Sequence, residues 1–173
     1  MVPNDIKFSI KRYKENDPIA KQVCKEFFEQ IGCVNIEENV NEAKGKFKEI
    51  WDLKAVSPFG HEVRIEAEIK KDWGTKWKDI PFKYNTMDVP YRKRTKAEVH
   101  ATHHMIIGGD LNRFFICSRN ALETAPVSEK TVRNRIDPET NRRMSEPFFN
   151  IDINHPEAAF YFKVADKWQL YKG

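Results

Sequence analysis

Glu66, Glu68 and Lys70 stand two residues apart in the run Val63 to Lys71, and a second acid, Asp52, precedes them across a Ser-Pro-Phe-Gly turn. In an extended chain successive side chains alternate between faces. Arg64, Glu66, Glu68 and Lys70 therefore share one face of a strand, while Val63, Ile65, Ala67 and Ile69 share the other. Two or three carboxylates on adjoining strands can hold Mg²⁺ or Mn²⁺ and still leave coordination positions for water and a phosphate oxygen. A lysine beside them can orient or deprotonate the attacking water, and the metal lowers the pKa of water bound to it. Those parts suffice for hydrolysis of a phosphodiester without a covalent intermediate. The competing reading is a ladder of solvated ion pairs on an exposed sheet face, which contributes little stability.

Whether Asp52 joins the set depends on the turn. Pro58-Phe59-Gly60 suits a three-residue hairpin loop, because proline presets the first turn position and glycine accepts the left-handed third one. Ser57 then pairs with His61, and counting outward sets Asp52 opposite Glu66 and diagonal to Glu68. A slip of one residue would send Asp52 into the core.

The elements that must position this hairpin, Phe47 to Lys71, are partly readable. Asp17 and Pro18 form an N-cap and first helical position, and Ile19, Val23, Phe27 and Ile31 recur every four residues up to Gly32, which predicts a helix over 18–31. Residues 1–15 read either as a short edge strand or as a loose arm. Val34 to Val40 predicts a strand. Segment 72–96 carries Trp, Tyr, Lys and Pro without a sustained period and reads as a long functional excursion. His100 to Ile107 and Arg113 to Ser118 predict a hairpin around Gly108-Gly109-Asp110. Asn120 to Arg143 is polar, basic and ambiguous, Phe148 to Ile153 predicts a strand, and Phe160 to Tyr171 closes the chain with an apolar element of open type.

At 173 residues, 40% apolar and 12% aromatic, the chain is read as one domain, 1–173. Its net charge of +4 is unevenly spread: Lys70 to Lys96 holds nine Lys or Arg against Asp72, Asp79 and Asp88. Such asymmetry favours a polyanionic partner. Cys24, Cys33 and Cys117, odd in number and in apolar surroundings, read as reduced core residues. No apolar run approaches a membrane span and no signal-peptide pattern opens the chain, so the expectation is a cytoplasmic protein without a membrane partner.

With these residues in place, the chain resembles the PD-(D/E)xK nuclease superfamily over roughly residues 17–118. Asp52 matches the acid of the second core strand, Glu68-Ile69-Lys70 matches the (D/E)-x-K element, and a helix precedes the hairpin as in that family. The resemblance implies an α/β, restriction-endonuclease-like core with a mixed central sheet and flanking helices. It also implies an endonuclease or exonuclease that hydrolyses DNA phosphodiesters with Mg²⁺ or Mn²⁺. Asp52 and Glu68 would bind the metal and Lys70 would be the catalytic lysine. RNA as substrate and a homodimer both stay open. The departures are Trp51 where proline is frequent, Lys21 and Gln22 where an acid of the first helix is common, with Glu26 and Glu29 as substitutes, and Glu66, which duplicates the acidic position.

Beyond the hairpin, Lys71, Lys76, Arg92, Lys93 and Arg94 read as phosphate contacts, interleaved with Trp73, Trp77, Phe82, Tyr84 and Tyr91, whose rings either stack on bases or belong to the core. A non-catalytic nucleic-acid-binding protein that uses this 71–96 surface is the alternative function. His100, His103 and His104 lack the further ligands of a zinc site, but one of them could contact phosphate or assist proton transfer.

Overall fold

The first helix runs past the position where Pro18 predicts its start. In the computed structural model, which describes residues 4–39, 49–77, 84–90 and 99–172, α1 spans Asn4–Gln30 with Pro18 in its interior. Residues 4–15 are thus helical and form neither an edge strand nor an arm. Asp17 caps nothing; its carboxylate pairs with Lys21 one turn on, at 2.9 Å. An interior proline removes one hydrogen bond of the ladder, and Pro18 lies on an exposed face where water can satisfy the carbonyl it deprives. The C-terminus is as expected: Gly32 takes φ +82, its N–H bonds Glu29 O at 3.2 Å, and Cys33 N–H reaches back to Phe28 O at 2.9 Å. That double bond is a Schellman cap, which needs a left-handed residue where the glycine stands.

The buried stripe of α1 is Ala20, Val23, Cys24, Phe27 and Phe28, while Ile19 and Ile31 are each 41% exposed. A strict four-residue repeat drifts around a helix of 3.6 residues per turn, so the ends of the predicted stripe rotate out of the core.

The hairpin follows with the expected register. Its first arm breaks into β2 (Glu49–Ile50) and β3 (Leu53–Val56), and its second is β4 (Glu62–Lys70). Leu53 pairs with Ile65, Ala55 with Val63 and Val56 with Glu62, and Ser57 N–H bonds His61 O across a loop in which Gly60 has φ +81. With β1 (Val34–Glu38), β7 (His103–Gly108), β8 (Arg113–Ser118), β11 (Ala158–Val164) and β12 (Lys167–Leu170) these strands make a seven-stranded sheet in the order β1-β3-β4-β7-β8-β11-β12. It is mixed, because β4 and β7 run parallel among antiparallel neighbours.

One face of this sheet carries α1. The other is covered by strands, although the resemblance implied flanking helices: β5 (Thr86–Pro90), β10 (Arg143–Asp152), which holds most of the strand expected over Phe148 to Ile153, and β9 (Val127–Ile136) form a three-stranded sheet, and α2 (Arg119–Glu123) is little more than one turn. The excursion after β4 therefore contributes a strand to this layer. The ambiguous 120–143 segment becomes α2 and one arm of the β9–β10 hairpin, and the last element is the β11–β12 hairpin. β2 pairs in parallel with β6 (Val99–His100) as a separate two-stranded sheet.

Two cores result, one per face. Ile65, Met105, Ile107 and Phe114 pack with α1, whereas Ile106, Phe115, Phe149 and Ile151 join Trp73 on the side of the small sheet. Strand alternation divides the neighbours Phe114 and Phe115 between them. All three cysteines are buried core residues. No described helix is long and apolar enough to cross a membrane.

Candidate active site

The acidic hairpin is built around a break in its first arm. Trp51 and Asp52 interrupt the arm between β2 and β3, and the residue after β1 holds them there: Asn39 N–H bonds Asp52 O at 3.0 Å and Asn39 Nδ2 bonds Trp51 O at 2.9 Å. Asp52 N–H donates to Ile65 O at 2.8 Å, and the Asp52 carboxylate accepts the Ala67 N–H through Oδ2 at 2.7 Å. The side chain thus replaces the backbone carbonyl that the ladder would otherwise supply. Asp52 is 4% exposed, although the register is the one that was expected to leave it on the polar face. Burial here comes from the break and the cap, not from a slip.

On β4, Glu66 is 8% exposed and Glu68 and Lys70 are half-buried, so the charged face is covered more than a solvated ladder would be. Parallel pairing sets Glu66 beside His104 of β7, with Glu66 Oε2 and His104 Nδ1 3.7 Å apart and both side chains nearly inaccessible. Asp52, Glu66 and His104, with Asn39, are the buried polar or charged residues described. The pairing of His104 with Glu66 escapes sequence reasoning, which weighs His104 only for phosphate contact or proton transfer, because the two residues are 38 positions apart. The available signal was the alternation of β7, which puts His104 on the face of Ile106 and opposite that of Met105.

Lys70 ends β4 with its Nζ 5.8 Å from the centre of the Trp77 ring, and Trp77 meets Tyr84 edge-on at 5.7 Å. The backbone is fixed just beyond: Trp73 N–H bonds Lys70 O at 3.1 Å, and Gly109 N–H bonds Trp73 O at 2.7 Å. A Cβ at Gly109 would stand 2.0 Å from Lys71 O, so this approach of two turns requires glycine. The site's lysine is held by backbone contact between the turn after β4 and the turn after β7.

The other expected residues disperse. Glu26 pairs with Lys163 at 3.2 Å and lines, with Glu29, a groove against β12 on the helix-covered side. Strand alternation turns Glu66 and Glu68 to the opposite side of the sheet, so neither helix acid supplements them. Lys71 is exposed, and Lys76, also exposed, lies 3.5 Å from Asp72. Arg92, Lys93, Arg94, Phe82 and Tyr91 lie outside the described residues. Trp73 is fully buried against Phe160 and cannot stack on a base, whereas Tyr84 is 46% exposed.

Burial argues against a nucleophilic role for Cys24 and Cys117. Burial pushes Cys24 well above its ordinary value and the negative charge of Asp52 adds to the shift, while burial pushes Cys117 up to about 12. Thiols so shifted hold their protons at neutral pH.

For a divalent ion, the donor set of Asp52, Glu66 and Glu68 has the hard oxygens that Mg²⁺ and Mn²⁺ prefer. A carboxylate has more lone pairs than one amide occupies, and a metal can share them. Among the described residues, however, no three His, Cys, Asp or Glu side chains are close enough together to enclose a metal. The arrangement fits an open site of one or two carboxylates completed by water and substrate better than a closed cage. Compared with protein-family models, curated proteins and solved structures, the chain matches none.

Proposed function

We propose that the protein is a divalent-metal-dependent nuclease that hydrolyses phosphodiester bonds in DNA. The observation that carries this reading is the β3–β4 register, which brings Asp52 to Glu66 and leaves Glu68 and Lys70 following on the same face of β4. Asp52 and a β4 carboxylate would hold Mg²⁺ or Mn²⁺. A metal bound there would polarise the phosphodiester and make its water more acidic. Lys70, fixed at the end of β4, would orient the attacking water. Glu66, paired with His104, is the better buried of the two β4 acids, and Glu68 the more open to substrate. Lys71 and Lys76 would hold the backbone by charge alone, without base specificity.

A specific observation also favours the non-catalytic alternative. The Asp52 carboxylate already serves as an acceptor within the sheet, and Glu66 already has an imidazole beside it. Buried polar groups engaged in this way can be purely structural.

Lys70→Ala separates the two readings. Cleavage of labelled single-stranded, duplex and branched DNA, with RNA of matched sequence alongside, is measured with Mg²⁺ or Mn²⁺. The expected result is that the native chain cuts and the variant binds without cutting. If neither cuts while both bind in a salt-sensitive way, the nuclease is wrong and the binding protein stands.

A further inference from the structure

We propose that the cleft between the entry to β7 and α2 binds a phosphate group, and that this phosphate neighbours the one attacked at the acidic hairpin. The second half rests on the nuclease reading; the first does not. The cleft, of about 590 Å³, is lined by Arg64, His100, Thr102, Arg119 and Asn120.

Two guanidinium groups face it with donors to spare. Arg64 spends Nε on His100 O at 2.8 Å and one terminal nitrogen on Glu62 at 2.7 Å, and Arg119 spends Nε on Glu123 at 2.8 Å. A guanidinium has five N–H donors in a rigid fork that matches the oxygens of a phosphate. The two glutamates lie at the solvated rim, with side chains 50% and 45% exposed. Exposed pairs of this kind are weak, so a dianion can displace them.

His100, in the same lining, carries a ring nitrogen without a partner: among the described residues nothing hydrogen-bonds its inaccessible Nδ1. Burial, and after it the charge of Arg119, lowers the His100 pKa; Glu123 and Glu66 oppose this, and Arg64 adds the smallest effect, in the lowering direction. A phosphate oxygen in the cleft would meet the spare guanidinium donors, and a turn of the His100 ring would bring its unpartnered nitrogen to the same anion. Glu157 sets a boundary, since its carboxylate already takes the Ser118 hydroxyl at 3.1 Å and the Asn120 amide at 2.7 Å. Contacts to phosphate therefore come from the arginine and histidine side.

Placement ties the cleft to the acids. Arg64 precedes Glu66 by two residues on one strand, so the two side chains leave the same face about 7 Å apart. One nucleotide of an extended strand spans such a step. The cleft would then seat the phosphate adjoining the scissile one, internal or terminal.

The test titrates the full chain in EDTA, free of divalent ions, with inorganic phosphate and with short DNA oligonucleotides bearing a 5′-phosphate, a 3′-phosphate or neither. Calorimetry gives affinity and the His100 proton resonances give its pKa. Saturable binding is expected to raise the His100 pKa, because an anion favours the imidazolium and offsets Arg119. Arg119→Gln and Arg64→Gln should each weaken binding about tenfold or more, as for loss of a hydrogen bond to a charged group. Glu123→Gln, which frees Arg119 of its competitor, should tighten binding and guards against misfolding as the cause of a loss. A preference for one phosphorylated end would mark a terminal phosphate, and equal binding of all oligonucleotides an internal one; both support the proposal. Inorganic phosphate binding without any added affinity for oligonucleotides would overturn the link to the hairpin. Absence of saturation, or indifference to both arginine variants, would overturn the cleft itself. Because no metal is present, a protein that binds here and never cuts DNA refutes only the nuclease.

Discussion

Asp52→Asn is expected to leave the fold intact and to reduce metal-dependent DNA cleavage by about a hundredfold or more, the scale of a few kcal/mol of lost transition-state stabilisation. The substitution is chosen because the Asp52 side chain has a structural duty, accepting the Ala67 N–H at 2.7 Å. An asparagine carbonyl can take over that bond, but it brings no negative charge to a metal. Asp52→Ala removes both, leaving a buried amide without its acceptor at a cost of about 1–3 kcal/mol. Thermal melting and initial cleavage rates on the two variants therefore separate the roles. Native-like melting with lost cleavage in the asparagine variant places Asp52 in the chemistry. Undiminished cleavage in that variant would reduce Asp52 to a cap of the sheet.

Phe114→Ala carries the largest expected loss of stability, about 3–5 kcal/mol for deleting a fully buried aromatic ring. Phe114 is wholly inaccessible and meets three rings: Tyr161 in a stack at 4.9 Å, Phe27 edge-on at 4.9 Å and Trp168 edge-on at 4.8 Å. One ring thus joins α1, β11 and β12 to the centre of the sheet, and aromatic pairs add to what burial alone contributes. For a chain of this length the corresponding fall in Tm is about 6–20 °C. Urea unfolding should show a lower midpoint at an unchanged slope. A loss below about 1 kcal/mol would mean that the layers repack around the cavity and that Phe114 is not their junction.

The parts of this structure that could be read from the chain are those decided by near neighbours. Gly60 and Pro58 set the turn, the turn sets the register, and alternation along β4 sets the face of Glu66, Glu68 and Lys70. Gly32 likewise ends α1 at the expected place. What escaped was decided at a distance. Asp17 and Pro18 are a local start signal, yet the helix begins well before them. Nothing near Glu66 announces His104, whose partnership comes from a parallel pairing across the excursion. The same holds for Thr86–Pro90, which lacks any period of its own and becomes a strand only because β10 runs beside it. The helix acids Glu26 and Glu29 show the limit of arguing by order along the chain, since a helix that precedes the hairpin can still present its carboxylates to the wrong side of the sheet.

The parallel contact of β4 with β7 also governs the order in which the molecule can assemble. The β3–β4 and β7–β8 hairpins close short loops and can form from local sequence, whereas docking one on the other must close the whole segment between Lys70 and His103. Loop-closure entropy delays such non-local pairings relative to hairpins. A chain in which both hairpins exist but remain undocked has its carboxylates on one piece and its imidazole on the other. Glu66 and His104 meet only when the sheet is joined, so the charged face is expected to acquire its buried character late in folding.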